Sequence, residues 1–475
     1  MRVLTAHPIR AIRLRDGVHP AAGQDGRVSV AVGGASLPLP ALPAESRTLL
    51  LALADRDVAE ADARQQVITA DGMAGLLRWQ AAITRLDTAG LLERSVLTED
   101  GPVARLRPTG LGARTGTAAQ APAVVKLSRF TLIRAVDGQL TAERPGGHAV
   151  VELGPAVAGM MGGLAQWTHL SEGVGGLSAE LARPVVDLLA GAGLLAPGGP
   201  EADQEGSDAS FAAWHPADLW LHARSRGART VSGYAGSYPL AGRFPPWPAL
   251  PDAFPGPRID LPRPDLAVTA KADPPFTEVL ERRRSVRAHN ALAPIGLDQL
   301  GELLYRSARI RRVFAGGDGQ EAADRPYPAG GALHELEIYP LITQCRGIEP
   351  GLWHYAAADH ALERVAEPGR ATATLVGAAR AAGTMTADPQ VVLIITARFG
   401  RIMWKYHAIG YSLILKHVGV LYQTIYLVGT AMGLGVCGLG GGDADDFAAA
   451  SGLAYHAEGS VGEIVVGTPA PDSGS

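Results

Sequence analysis

The sequence predicts an α+β protein in which two small helical modules with β-hairpins precede a larger C-terminal domain of helices and strands. Three features predict this architecture. The tetrapeptide AGLL closes a helical pattern twice, at 89–92 and at 192–195. Nine prolines between 239 and 264 exclude long regular elements there and separate the chain into halves. Finally, an almost uncharged helical pattern at 408–432 lies among strand-like segments, which is typical of a helix buried against a sheet.

Composition narrows the class of protein. A chain of 475 residues is long enough for two or three domains, and a net charge of −4 gives no general attraction to nucleic acid or to an anionic membrane. The two cysteines, Cys345 and Cys437, are too few for a disulfide framework or a zinc site. Lys416, His417 and Gln423 interrupt the apolar helix, which favours a core helix over a membrane span. The N-terminus lacks the apolar stretch of a signal peptide, so we expect a cytoplasmic protein.

We assign a first module to residues 1–110 and a second to residues 120–197. In each, a helix, a glycine and a strand-like run follow one another, which is the order of a winged-helix unit. Aligning the AGLL blocks pairs Leu86 with Leu189; the alternative is two unrelated helices that end in the same way. The second candidate recognition helix carries Arg183 as its one basic residue, so a peptide-docking or structural role is favoured over DNA binding.

The second half of the chain begins with a connection. Residues 198–270 contain a polar linker, a helix and the proline-rich strap, and residues 271–470 form the last domain. The predicted elements of this domain are helices 274–284 and 297–306, strand 335–342, hairpin 351–365, a helix near 369–382, strand 391–397, the long helix 408–432 and strand 461–467.

Three stretches carry residues that can bind a phosphorylated, planar ligand. In ERRRSVR, Arg283, Ser285 and Arg287 can converge on one phosphate, although in isolation a solvated basic helix end is the favoured explanation. In RPYPAGGAL (325–333), two glycines would let backbone N–H groups approach a planar ligand, although in isolation an ordinary hairpin loop is the favoured explanation. GLGGGD (438–443) is not a dinucleotide fingerprint, because it does not open a helix after a strand.

Lys405 and Tyr406 stand side by side before the long helix and could supply a general base and a general acid. Lysine would act as a base only if burial lowered its pKa. The alternative is a helix N-terminus with solvated polar residues.

Taken in order, RRRSVR, RPYPAGGAL, GLWHY, WKYHAIGYSLILKHVGVLYQ and GLGVCGLGGGD closely resemble the nitroreductase superfamily, and within it the SagB-type azoline dehydrogenases related to ThcOx and McbC. The resemblance covers about residues 211–469, and the N-terminal pair resembles the peptide-clamp region of cyanobactin oxidases more loosely. It implies an FMN-dependent homodimer with the flavin at the dimer interface. The fold that it implies is a C-terminal nitroreductase-like FMN domain.

The resemblance also implies roles for eleven residues. Those that match the motif for the FMN phosphate, ribityl chain and pyrimidine edge are Arg283, Arg284, Ser285 and Arg287. Those that match the loop crossing onto the flavin from the other subunit are Pro328, Ala329 and Gly330. Those that match the backbone donors near flavin N5 are Gly440 and Gly441. Those that match the catalytic pair of azole-forming members are Lys405 and Tyr406.

The implied activity is oxidation of thiazoline or oxazoline rings in a ribosomally made peptide to thiazole or oxazole, with dioxygen reoxidising the FMN. A leader peptide, or a cyclodehydratase partner, would dock on residues 1–200. Two other functions stay open: an NAD(P)H-dependent reductase of nitro or quinone compounds, and a flavin-free subunit that recruits a peptide. One departure concerns the C-terminus, where VGTPAPDSGS lacks the basic pair that holds the phosphate in many nitroreductases.

Overall fold

The computed structural model describes residues 7–23, 27–32, 34–110, 112, 120–227 and 236–471. The chain divides into two compact units, residues 1–233 and 234–475. Within the described part of the chain, no helix is both long enough and apolar enough to cross a membrane.

The N-terminal unit consists of short antiparallel strands and seven helices among its described residues. The strands are β1 (Ile9–Leu14), β2 (His19–Ala22), β3 (Val28–Val32), β4 (Ala35–Pro38), β5 (Val58–Ala59), β6 (Leu92–Thr98), β7 (Gly101–Pro108), β8 (Val124–Val125), β9 (Leu132–Val136), β10 (Gln139–Glu143), β11 (Ala149–Leu153) and β12 (Thr168–His169). The helices are α1 (Ala44–Ala52), α2 (Glu60–Thr88), α3 (Pro155–Gly163), α4 (Ala179–Gly191), α5 (Gln204–Ser207), α6 (Ala209–Ala212) and α7 (Pro216–Arg226).

Strands from both predicted modules join one antiparallel sheet, in the order β5-β1-β6-β7-β11-β10-β9. The two AGLL blocks have the same local structure: Gly90 and Gly193 are left-handed, with φ of 71° and 72°, and each helix ends there. The residue pair Asp137-Gly138, which is typical of a tight hairpin turn, connects β9 to β10, and both residues have positive φ. The continuous sheet joins the two predicted modules, 1–110 and 120–197. Their assignment as winged-helix modules stays a prediction.

The predicted linker at 198–208 is not a free segment. It contains α5, and the carboxylate of Glu205 is buried, where it accepts hydrogen bonds from the Ser128 hydroxyl at 2.5 Å and the Arg129 backbone N–H at 2.9 Å. The polar composition of this segment gave no sign of a buried contact. The Glu205 carboxylate can be buried because two donors satisfy it, whereas burial of an unpaired carboxylate is costly. The predicted helix at 211–230 is split into α6 and α7, and its last residues lie outside the described part of the chain.

The C-terminal unit is built on a second seven-stranded antiparallel sheet, in the order β13-β18-β17-β16-β19-β21-β20. Its strands, with the separate hairpin β14–β15, are β13 (Arg258–Asp260), β14 (Arg312–Ala315), β15 (Glu321–Asp324), β16 (Leu336–Ile342), β17 (Gly351–Ala356), β18 (Ala361–Ala366), β19 (Val391–Arg398), β20 (Gly435–Gly438) and β21 (Glu458–Gly467). Its helices are α8 (Leu266–Ala272), α9 (Phe276–Arg282), α10 (Leu297–Ala308), α11 (Arg370–Ala382), α12 (Phe399–Met403), α13 (Gly410–Ala431) and α14 (Ala444–Ser451).

Helices cover both faces of this sheet. Buried side chains of α10 and α13 pack on one face, and those of α11 and α14 pack on the other. Each element predicted for 271–470 is present within a few residues. The sequence reading missed the hairpin β14–β15, β20 and α14, and it missed β13 inside the proline-rich strap, where three residues between prolines pair with β18 at the sheet edge.

The predicted buried face of the long helix is wrong in part. The recurrence of Tyr411, Leu415, Val418, Tyr422, Ile425 and Val428 at helical spacing predicts that these residues form its buried face. Tyr411 and Leu415 are nevertheless 40% and 43% exposed, while Ile414, Leu421 and Ile425 are fully buried. The helix is apolar on more than one side, so its sequence period does not decide which side meets the sheet. An apolar strip of α13 therefore remains at the surface of this unit.

Candidate functional site

Lys405 and Tyr406 lie in the non-helical link between α12 and α13. The Lys405 ammonium lies 2.7 Å from Oδ2 of Asp318, in the loop of the β14–β15 hairpin. The Tyr238 hydroxyl, from the proline-rich strap, donates a hydrogen bond to the same oxygen at 2.9 Å. The backbone carbonyl of Lys405 accepts hydrogen bonds from the N–H groups of Ser237 and Tyr238, at 2.9 and 3.0 Å. Three segments far apart in sequence thus meet at this lysine.

The pairing decides the charge of Lys405. Burial is the largest single influence and lowers the lysine pKa, but the hydrogen bond to Asp318 and the charge interactions with Tyr406, Asp318 and Tyr238 together raise the pKa of Lys405 above its ordinary value. The same hydrogen bond lowers the pKa of Asp318 to about 2. A lysine pKa lowered by burial was the condition for Lys405 to act as a base, and this condition is not met, because the sequence did not reveal the carboxylate partner. In this structure the residue is an ammonium.

The glycine loop approaches the same pair. A Cβ atom at Gly331 would lie 2.8 Å from the Tyr406 hydroxyl and 3.4 Å from the Lys405 ammonium, and Gly331 has a φ of 64°. Both the close approach and the left-handed backbone require glycine here. Gly331 and Asp318 are functional candidates that sequence reasoning missed; a glycine doublet was the one available signal.

Gly330, which was expected at the flavin, meets a buried histidine in its own chain. Its N–H donates to Nε2 of His417 at 2.8 Å, so the histidine proton is on Nδ1, which donates to Glu335 at 2.7 Å. Glu335 is fully buried and His417 nearly so. This dyad fixes the loop that contains Pro328 and Ala329 by an oriented hydrogen bond.

The arginine motif lies just after α9 and runs beside β20, with the Val286 N–H donating to Val436 at 2.9 Å. The Arg283 guanidinium is 5.3 Å from the centre of the Tyr426 ring, and the Ser285 hydroxyl is 2.9 Å from the Tyr426 hydroxyl. That hydroxyl also accepts the Gly438 N–H at 2.7 Å. Tyr426 thereby joins the arginine motif to the start of the GLGGGD loop. In the sequence these two motifs are far apart and show no connection.

Within the loop, an added Cβ at Gly440 or Gly441 would meet no atom within 4 Å, so both backbones face open space. Arg284 and Arg287 are exposed on the neighbouring motif. Exposed guanidinium groups, a hydroxyl and an exposed glycine loop can supply donors that suit the phosphate and polar edge of a flavin mononucleotide. The residues present therefore fit FMN.

The structure does not bring all predicted site residues together within one chain. Lys405, Tyr406 and the loop of Gly330 lie at the N-terminal end of α13, whereas Tyr426 and the arginine motif lie near its other end. From Gly410 to Tyr426 the helix rises about 24 Å. The predicted site residues thus form two groups, one near each end of α13.

Comparison with known proteins identifies the C-terminal unit. Residues 280–468 match the Nitroreductase family. The C-terminal unit carries a nitroreductase domain. Residues 125–231, in the other unit, match the cyanobactin oxidase ThcOx family. The resemblance predicted from the ordered motifs is confirmed: the chain is similar to the Nitroreductase family over its C-terminal unit, and to the cyanobactin oxidase ThcOx family and to McbC over parts of its length.

Two relatives show the extent of the likeness. A Methanocaldococcus jannaschii protein named as a nitroreductase is 28% identical over 163 residues, which cover 34% of this chain and 77% of that protein. The microcin B17-processing protein McbC of Escherichia coli is 30% identical over 115 residues, which cover 23% of this chain and 42% of McbC. The chain thus matches less than half of McbC's length.

Two solved structures are among those with some likeness to this chain. The E. coli microcin synthetase McbBCD complex with truncated pro-MccB17 bound is 22% identical, covering 40% of this chain and 70% of that chain, with a TM-score of 0.35. A Desulfovibrio desulfuricans protein described as a nitroreductase, in complex with FMN, is 14% identical, covering 43% of this chain and 91% of that chain, with a TM-score of 0.29.

Proposed function

We propose that the protein is an FMN-dependent dehydrogenase that oxidises thiazoline or oxazoline rings of a ribosomally made peptide to thiazole or oxazole. The observation that carries the proposal is the Lys405–Tyr406 pair facing the Gly331 loop inside a nitroreductase domain. The similarity to McbC and to the ThcOx family supports a peptide-borne ring as the substrate.

Four residues and two backbones of this chain would hold the cofactor. Arg283, Arg284 and Arg287 would neutralise the FMN phosphate, with Ser285 as a further donor. The N–H groups of Gly440 and Gly441, which are exposed residues, would donate to the flavin ring. FMN, when bound, supplies the two-electron acceptor that ring oxidation requires, and dioxygen is the terminal acceptor in this proposal.

A homodimer would complete the site. The two groups of predicted site residues lie at opposite ends of α13, too far apart for one flavin in one chain. Tyr411 and Leu415 leave an apolar strip of that helix exposed, as expected of a surface that a second copy covers. In a two-fold pair, the loop of Pro328, Ala329 and Gly330 from one chain would reach the arginine motif of the other.

Lys405 and Tyr406 would act on the ring as its Cα proton is removed. The Cα–H of an azoline is acidic because it adjoins an imine and a peptide carbonyl, and aromatisation supplies the driving force. The chain therefore has to position the ring, exclude water and move one proton. Asp318 and the Gly331 backbone fix the pair in place for this task.

The N-terminal unit would bind the peptide. Residues 125–231 match the ThcOx family, and McbC has been solved in a complex with McbB, McbD and a pro-peptide. By that similarity, a leader peptide would dock on the predicted modules at 1–110 and 120–197, and a cyclodehydratase would be the partner that forms the azoline.

The direct test uses the purified protein in air with a thiazoline-containing peptide and no NAD(P)H. We expect loss of two hydrogens per ring in the peptide mass. Lys405→Ala and Tyr406→Phe should slow this turnover at least about tenfold while FMN stays bound, because a general acid or base is lost. Lys416→Ala, an exposed lysine on α13, is the matched control.

Two outcomes favour the rival functions. Turnover of nitro or quinone compounds that requires NAD(P)H, without azoline oxidation, would favour a reductase. A colourless protein that takes up no added FMN would favour a peptide-recruiting subunit. Unchanged turnover in both variants would remove Lys405 and Tyr406 from the mechanism.

A further inference from the structure

We propose that Asp318 and Tyr238 are positioning residues that hold Lys405 as a fixed ammonium donor beside Gly331 and Tyr406. This inference rests on the proposed function for the reaction that the donor serves. The arrangement itself is read from the contacts of the described residues. Its consequence is that Lys405 donates to the substrate and does not take its proton.

The carboxylate of Asp318 is oriented from two sides. Its Oδ2 contacts the Lys405 ammonium at 2.7 Å and accepts the Tyr238 hydroxyl at 2.9 Å. Its Oδ1 accepts the backbone N–H of Gln320 at 3.2 Å, which ties the side chain to its own hairpin loop. The side chains of Lys405 and Asp318 are each 17% exposed, so water competes weakly for this pair.

The strap contacts both Lys405 and the preceding residue, Trp404. The N–H groups of Ser237 and Tyr238 donate to the Lys405 carbonyl, and the Tyr238 ring packs edge-on against Trp404 at 5.7 Å. The Trp404 indole N–H donates to the Phe244 carbonyl at 2.8 Å. These strap residues lie between the two family matches, which end at 231 and begin at 280, so neither match assigns them a role.

The charged and titratable groups that face Lys405 are Asp318 from the hairpin, Tyr238 from the strap and Tyr406 beside it. Burial opposes the charged form, but the hydrogen bond to Asp318 raises the pKa of Lys405. The hydrogen bond to Asp318 likewise raises the pKa of Tyr238, which keeps that phenol a donor. An ammonium has three donors and no lone pair, so Lys405 can donate a hydrogen bond but cannot accept a proton.

The pair faces the place where a ring would be held. The backbone of Gly331 lies against the Tyr406 hydroxyl and the Lys405 ammonium, so any ring on that loop is within reach of both groups. Lys405 is therefore suited to stabilise the negative charge that develops on the adjacent peptide carbonyl oxygen as the Cα proton leaves. Of the pair, only Tyr406 has an oxygen that, once deprotonated, would accept the Cα proton.

The test measures the ionisation of Lys405 directly. The chain has four lysines, Lys126, Lys271, Lys405 and Lys416, so lysine labelled with ¹³C at Cε gives four assignable signals. In the purified wild-type protein we expect the Lys405 signal to change at a higher pH than the signals of the exposed lysines. In Asp318→Asn its pKa should fall by about one unit or more, because an opposite charge in contact is lost. Asp318→Glu should retain the raised pKa.

Asp324→Asn, in the same hairpin, is the control, because Asp324 pairs with exposed Arg311 and not with Lys405. With the thiazoline peptide, Asp318→Asn should lower kcat about tenfold with KM unchanged, and the deficit should grow at alkaline pH as the ammonium is lost. Tyr238→Phe should lower kcat in the same direction. An unchanged Lys405 pKa in Asp318→Asn would overturn the proposal. The titration needs no substrate. A wild-type protein that fails to oxidise azolines would therefore refute the proposed function, while the lysine titration would still decide whether Asp318 holds Lys405 as an ammonium.

Discussion

The Arg401→Met variant is expected to lose the packing of the C-terminal unit around the site. Arg401 is fully buried, and its guanidinium donates to three backbone carbonyls, those of Leu333 (2.6 and 2.8 Å), Trp247 (2.9 Å) and Glu321 (2.8 Å). These carbonyls belong to the glycine loop, the strap and β15. One side chain thus ties together the three segments that surround Lys405.

The size of the effect follows from what the substitution leaves behind. Methionine fills similar space but has no donors, so three buried carbonyls would lack partners, at about 1–3 kcal/mol each. Burial lowers the pKa of Arg401 to about 10, so the side chain is still charged at neutral pH. The glycine loop also contains left-handed Ala332 and His334, with φ of 55° and 48°, a conformation that needs such fixed contacts to persist.

We expect a loss of roughly 3 kcal/mol or more in the free energy of unfolding, measured by denaturant titration with tryptophan fluorescence. Trp247 and Trp404 contact this region and report on it. Arg380→Met is the control, because Arg380 forms an exposed ion pair with Asp388. If Arg401→Met and Arg380→Met unfold at the same denaturant concentration, Arg401 does not hold the site together.

The double variant Arg283→Ala with Arg287→Ala is expected to be isolated without flavin. Arg283 is held over the Tyr426 ring next to Ser285, and Arg287 is exposed four residues on. These arginines are the phosphate ligands in the proposal. Charge-assisted hydrogen bonds to phosphate are strong, and two are lost together.

The measurement is the visible spectrum of the purified variant, with the mass of any molecule released by heating. Arg282→Ala with Arg380→Ala removes the same charge from exposed positions that pair with Glu278 and Asp388, and it should keep its flavin. Full FMN occupancy in the Arg283 and Arg287 double variant would place the phosphate elsewhere.

Local patterns predicted most elements of the nitroreductase domain, because strands and helices follow from residue periodicity. The orientation of α13 could not be predicted in the same way. Its apolar residues lie on several sides, and only the packed sheet shows that Ile414 and Leu421 are buried while Tyr411 and Leu415 are not. Which side of an apolar helix meets the core is a tertiary property.

The site was predicted residue by residue but not as an arrangement. Lys405 was recognised, whereas its partners Asp318 and Tyr238 come from segments that are 87 and 167 residues earlier and that read as a turn and a linker. Without them the sign of the lysine pKa shift could not be foreseen. Likewise, the motifs read as one cofactor site lie at opposite ends of α13, a separation that a linear sequence does not display.

The most direct test of the central claim is to mix the flavin-loaded protein with a thiazoline peptide in the absence of oxygen and of NAD(P)H, and to follow the visible flavin absorption. We predict that the absorption of oxidised flavin disappears as the peptide loses two hydrogens per ring, and that it returns when air is admitted. Absorption that is unchanged by the peptide but is lost on addition of NAD(P)H would contradict the account and identify a nicotinamide-dependent reductase.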